Sequence, residues 1–157
     1  IYNPKSTEHE NKSVGIKDLV VPTVPQKPDI VLQLTKSDLQ EGMKLTYLFD
    51  AKYRIDGKDK NGVDVPPEDA INQMHRYRDA IYYKDYQTDS LKKEVIGGYI
   101  LFPGDGEPTD VAVSKFYKSI DKVNIGAFPL RPKDVHNRQL LEQIIEELIK
   151  SKYHKKI

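Results

Sequence analysis

Three charged residues sit where a purely structural strand would not place them. Asp50 and Lys52 lie two apart in the run from Leu45 to Ile55, so in an extended chain both point to one face. Asp29 lies at the mouth of the preceding strand-like run, one hairpin away. If the two runs pair antiparallel, the carboxylates of Asp29 and Asp50 approach within a few ångströms. Two carboxylates that close repel one another unless a cation lies between them. Hard oxygen ligands without His or Cys beside them favour Mg2+ or Mn2+ over zinc. A lysine next to such an ion can orient or deprotonate an attacking water. It also places positive charge where a phosphorane-like state accumulates negative charge. The set fits phosphodiester hydrolysis. An Asp-x-Lys on a strand is usually a surface ion pair, and Pro-Asp is a frequent turn pair. The combination of Pro28-Asp29 with Asp50-Ala51-Lys52, twenty residues later on an otherwise apolar strand, is what points to chemistry.

These residues need a sheet to hold them. The first 28 residues are polar and proline-punctuated, an irregular lead-in with one short strand near Ile16 to Val21. Ile30 to Leu34 reads as a strand, Lys36 to Lys44 as a turn or hairpin loop, and Leu45 to Ile55 as a strand. In that last run Leu45, Tyr47, Phe49, Ala51, Tyr53 and Ile55 fall on one face. Asp56 to Val65 reads as an exposed, mobile loop. Pro66-Pro67-Glu68-Asp69 is a helix start, and the helix is expected to run to about Lys84, with Ala70, Met74, Tyr77 and Ile81 as its core stripe. Val95 to Phe102 is a buried strand stopped by Pro103-Gly104, in which Gly97-Gly98 allows close helix packing. Lys122 to Leu130 is expected to be another strand. An amphipathic helix from about Asp134 to Lys152 turns Leu140, Leu141, Ile144, Ile145, Leu148 and Ile149 inward, and Lys155-Lys156 is a solvated basic tail. The order β-β-α-β-β-α indicates a mixed α/β domain.

Composition narrows the classes further. At 157 residues, with 38% hydrophobic and 31% charged, the chain suits one soluble domain with one sizeable core. A net charge of +1 argues neither for nor against a nucleic-acid partner. With no cysteine there is no disulfide scaffold, thiolate zinc site or cysteine nucleophile. No apolar run approaches the length of a membrane span, and no signal peptide is visible, so a cytoplasmic location is expected. Nothing resembles a P-loop. The first residue is Ile rather than Met, as expected of a domain cut from a longer protein.

Pro28-Asp29 followed by Asp50-Ala51-Lys52 resembles the signature of the PD-(D/E)XK nuclease superfamily. Gln73-Met74-His75-Arg76-Tyr77 matches the Gln-x-x-x-Tyr element of RecB-like members. Pro28 to Leu32, Phe49 to Arg54, Tyr77-Arg78-Asp79-Ala80 and Gly98 to Gly104 look more narrowly like a branch related to McrC, the nuclease component of McrBC-type restriction systems. The resemblance covers roughly Lys27 to Pro132. It implies a restriction-endonuclease-like core, with a central mixed sheet flanked by two helices, and Mg2+-dependent hydrolysis of DNA. By that resemblance Asp29 and Asp50 are metal ligands, with the Ala51 carbonyl a further one. Lys52 is the catalytic lysine, and Gln73 touches that lysine or the DNA backbone. Tyr77 stands one turn further along the helix. Arg54, Arg76, Tyr77 and Arg78 are the candidate nucleic-acid contacts. A McrB-like nucleotide-hydrolysing motor is the implied partner. Members often take another acid from a helix before the first strand, and none is evident here; Glu8 and Glu10 lie in a stretch without apolar periodicity. Two other readings stand beside this one: a non-catalytic nuclease-like fold that binds nucleic acid or protein, and an RNA-directed nuclease.

Overall fold

The computed structural model describes residues 19–23, 27–35, 44–85, 87–93, 95–105 and 107–150. A four-stranded mixed sheet is built from β2 (Ile30–Leu34), β3 (Leu45–Ala51), β6 (Val95–Phe102) and β7 (Ile125–Pro129), in the order β2-β3-β6-β7. The β2–β3 pair is antiparallel, with Ile30 opposite Phe49, whereas β3–β6 and β6–β7 are parallel. A second, three-stranded sheet joins β1 (Leu19–Val20), β4 (Tyr82–Asp85) and β5 (Ser90–Lys92) in the order β1-β4-β5. The class is mixed α/β, as expected.

Helix α1 (Glu68–Ala80) covers one face of the four-stranded sheet. Ala70, Met74 and Tyr77, at helical spacing, pack with Leu48, Ile100, Phe102, Ile125 and Ala127. The close approach depends on Gly98: a Cβ there would meet Met74 Cβ and Sδ at 3.1 Å. The helix starts at the predicted Pro66-Pro67. Its first turn is capped from a distance, since Asp56 Oδ2 accepts the Glu68 N–H at 3.0 Å. On the other face Tyr47, Phe49, Tyr99 and Phe128 form an aromatic layer, with Tyr99 centroids 5.1 Å from Phe49 and 5.9 Å from Phe128. Ile120 of α3 (Lys115–Val123) and Ile144 of α4 (Val135–Lys150) close that layer. Among the described residues, no helix is long and apolar enough to cross a membrane.

Several elements differ from the sequence expectation. The run beginning at Leu45 leaves the sheet after Ala51, so Tyr53 and Ile55 do not continue its apolar face and are 96% and 38% exposed. Thr46, Leu48 and Asp50, on the supposedly polar face, are buried, because parallel pairing with β6 puts β3 in the middle of a sheet covered on both sides. Helix α1 stops at Ala80 instead of Lys84. The aromatic run that follows is extended and becomes β4, paired with β1 through Leu19–Tyr83 and Val20–Tyr82. Lys122 and Val123 end a helix rather than begin a strand, and Asn124, in the left-handed conformation, separates α3 from β7. With the short α2 (Pro108–Val113), the described residues hold four helices instead of the expected two. In α4, Leu141, Ile144, Ile145 and Leu148 fill the inward stripe, and Ile149 falls to the flank at 52% exposure. The loop from Asp56 to Val65 is not wholly exposed: Val63 and Asp64 are buried, and Lys58 bridges Asp64. Residues 16–18 of the first predicted strand, most of the Lys36–Lys44 loop and the Lys155-Lys156 tail lie outside the described residues.

Candidate active site

The antiparallel register carries Asp29, just before β2, to the level of Asp50, next to last in β3. Because β6 and β7 run parallel to β3, their C-terminal ends lie at the same end of the sheet. Asp29 is exposed, and its Oδ2 accepts the backbone N–H of Ala51 at 2.8 Å. The carboxylate thus extends the β2–β3 ladder past the last backbone pair.

Asp50 is only 3% exposed and shares with Leu48 the face covered by α1. Its Oδ2 meets Lys52 Nζ at 2.5 Å as an ion pair, but takes no hydrogen bond of regular geometry from any described group. Burial pushes the Asp50 carboxyl above the ordinary carboxylate range; Lys52 pulls it back, and the charge of Asp29 adds to the rise. Lys52 lies just beyond β3, yet its N–H still bonds the Leu101 carbonyl at 2.8 Å, which keeps its side chain in register with Asp50.

Helix α1 supplies the support. Tyr77 is 3% exposed, and its hydroxyl donates to the Lys27 carbonyl at 3.0 Å. Gln73 Nε2 reaches the same hydroxyl at 2.5 Å. With the tyrosine proton committed to Lys27, Gln73 must donate here through its NH2, so its Oε1 is left as the acceptor for another partner. Burial, and then the negative charges of Asp50 and Asp29, push Tyr77 up to about 12, so it stays a donor across the physiological range. Tyr77 is buried, as expected of the core stripe, and this burial works against the nucleic-acid contact that was also expected of it. It is a core residue that ties Lys27-Pro28-Asp29 to the helix, because it belongs to the stripe with Ala70 and Met74.

Two of the three candidate arginines are engaged within the protein. Arg54 is paired with Asp56 at 3.0 Å and with Asp69. Arg78 Nη1 donates to the Val123 carbonyl at 2.7 Å, a contact that fastens α1 to the end of α3. Arg76 and His75 are exposed on α1. An open cleft of about 440 Å³ between α1 and α3, lined by residues such as Glu68, Asn72, His75 and Lys115, does not include Asp29, Asp50 or Lys52.

The donor set of two carboxylates and the Ala51 carbonyl is all hard oxygen. It fits a divalent ion of the Mg2+ type, which would share Asp50 Oδ2 with the Lys52 ammonium 2.5 Å away. Among the described residues no third Asp, Glu or His completes a cluster with these two, and Glu8 and Glu10 lie outside the described residues.

Sequence reasoning missed Asp64. This side chain, 5% exposed, takes Lys58 Nζ at 2.8 Å and the Asp105 N–H at 2.7 Å, with Arg131 Nη2 at 3.8 Å. Arg131 Nε in turn donates to the Pro103 carbonyl at 2.9 Å. Asp64 therefore joins the segments that follow β3, β6 and β7 at the end of the sheet that carries the carboxylates. The Val63-Asp64-Val65 alternation inside a polar loop was the signal available for it.

A family model described as the PD-(D/E)XK nuclease superfamily matches residues 1–107. No curated protein and no solved structure matches the chain at a significant level.

Proposed function

The chain belongs to the PD-(D/E)XK nuclease superfamily, and from that premise we propose that it is a Mg2+-dependent DNA endonuclease domain, of the McrC-related branch, working in a restriction system beside a McrB-like nucleotide-hydrolysing motor. The observation that carries this reading is the convergence of exposed Asp29, buried Asp50 and Lys52 at one sheet end, with Lys52 Nζ 2.5 Å from an Asp50 oxygen.

Asp29, Asp50 and the Ala51 carbonyl are the groups that would hold a divalent ion of the kind this superfamily generally uses. When bound, such an ion polarises the scissile phosphate and offsets charge on the leaving oxygen. Lys52 Nζ orients or deprotonates the attacking water and places positive charge beside the phosphoryl oxygens. Gln73 Oε1 is the acceptor that orients the lysine or that water, and Tyr77 fixes Gln73 from behind. Arg76 is exposed and suits a phosphate contact; Arg54 and Arg78 would first have to leave their acidic and carbonyl partners. The products are a 5′-phosphate and a 3′-hydroxyl.

The test is incubation of the protein with plasmid and with structured RNA, each with Mg2+, Mn2+ or a chelator. Nicking or linearisation of plasmid that the chelator abolishes supports the proposal. Cleavage confined to RNA would move the reading to an RNA-directed nuclease. Binding of nucleic acid without cleavage under every ion would support the non-catalytic alternative.

A further inference from the structure

Tyr53 follows Lys52 directly and is 96% exposed, although an aromatic ring of this size normally finds cover. The segment that carries it is anchored at both ends. Before it, the Lys52 N–H bonds the Leu101 carbonyl at 2.8 Å; after it, the Asp56 N–H bonds the Val65 carbonyl at 2.8 Å. Arg54, between them, is paired with Asp56 and Asp69. The backbone thus holds the ring outward, and the neighbouring cation is engaged elsewhere. What the segment offers a ligand is a neutral π-face. Consecutive Cα atoms are about 3.8 Å apart, so this exposed ring stands on the residue adjoining Lys52.

A π-face beside a phosphodiester site recognises a nucleobase by stacking. In a duplex those base faces are already covered by their neighbours. We propose that Tyr53 is a stacking platform for an unpaired base next to the scissile phosphate, so that the site favours single-stranded or locally unpaired substrate. The inference rests on the nuclease reading above and adds a substrate class to it.

The experiment uses one oligonucleotide sequence, single-stranded or fully paired, with 2-aminopurine as fluorescent base, and compares the parent with Tyr53→Ala, Tyr53→Phe and Tyr53→Trp. Tyr53→Ala should raise KM for the single strand by roughly 5- to 150-fold, the range for one lost base–aromatic stack, while kcat falls no more than a few-fold. Tyr53→Phe and Tyr53→Trp should keep the parent KM. Quenching of 2-aminopurine on binding, measured in chelator so that no cleavage intervenes, should be present in the parent and lost in Tyr53→Ala. An unchanged KM and quench in Tyr53→Ala overturns the proposal. So does a Tyr53→Phe variant as weak as Tyr53→Ala, which would assign the affinity to the hydroxyl. A parent that quenches normally but cuts nothing in Mg2+ or Mn2+ overturns the nuclease reading and leaves the stacking site standing.

Discussion

Tyr77→Phe removes a single oxygen and leaves the ring in place among Ala70, Met74 and Leu48, so core packing is preserved. Two hydrogen bonds disappear: the one donated to the Lys27 carbonyl and the one accepted from Gln73. A typical net contribution is about 1 kcal/mol each. Lys27 is exposed and Gln73 half-buried, so water can reach both orphaned partners and the larger penalty of a buried unsatisfied group does not apply. The loss is then about 2 kcal/mol, and at roughly 2–4 °C per kcal/mol for a chain of this size the melting temperature should fall by about 4–8 °C. Activity should suffer beyond that. The Lys27 anchor lies two residues before Asp29, whose carboxylate would keep its Ala51 contact. A misplacement near 1 Å costs about 100-fold in rate, so a kcat loss of roughly 10- to 100-fold is expected at a temperature where the variant is fully folded. Thermal melting and single-turnover cleavage measure the two quantities separately. A variant that melts and cuts like the parent refutes the claim that this hydroxyl positions Asp29. A variant that loses nucleic-acid affinity with kcat intact would return Tyr77 to the binding surface.

Asp50→Asn should abolish cleavage yet leave the metal-free protein at least as stable as the parent near pH 8. Asp50 has a raised folded value, so its charge costs stability that appears as pH rises above about 3.9 and through that folded value; the variant's advantage should therefore shrink toward pH 4 in chemical denaturation, and a constant difference would contradict the burial argument. Mg2+ or Mn2+ should raise the parent's melting temperature and not the variant's. Lys52→Met should bind nucleic acid about as well as the parent but cut it slower by roughly 10²–10⁴; lost binding with an intact single-turnover rate would make Lys52 a phosphate anchor instead. Burial alone would raise Asp64, but Lys58, the Asp105 N–H and Arg131 outweigh it and hold the carboxyl below the ordinary range. Its stabilisation is present above about pH 3.9 and fades as pH falls through the lowered value. Asp64→Ala should cost about 2 kcal/mol at pH 7, with the gap to the parent closing in acid; a gap that persists undiminished would mean packing rather than charge is lost.

The spacing of Asp29, Asp50 and Lys52 was legible from the chain because their geometry is local. A two-residue period puts Asp50 and Lys52 on one side, and a single antiparallel hairpin brings Asp29 level with Asp50. The start of α1 at Pro66-Pro67 and its stripe of Ala70, Met74 and Tyr77 were legible for the same reason, since helical periodicity needs no knowledge of what the stripe meets. What the chain could not reveal depends on partners far away in sequence. Leu45 to Ile55 alternates like a strand with one covered face, yet the parallel neighbour β6 and the helices on both sides bury both faces, and only that arrangement makes Asp50 a buried charge. Ile81 to Asp85 carries on a plausible helical pattern, and pairing with β1, more than sixty residues earlier, turns it into a strand. Tyr77 belongs to the legible core stripe, but only the fold brings Lys27 to its hydroxyl, across a separation of 50 residues. Asp64 reads as one more acid in a polar loop until Asp105 and Arg131 close over it. Local periodicity fixes which side of an element a residue occupies; burial, and with it the strength of every charge at the site, is set by what packs against that side.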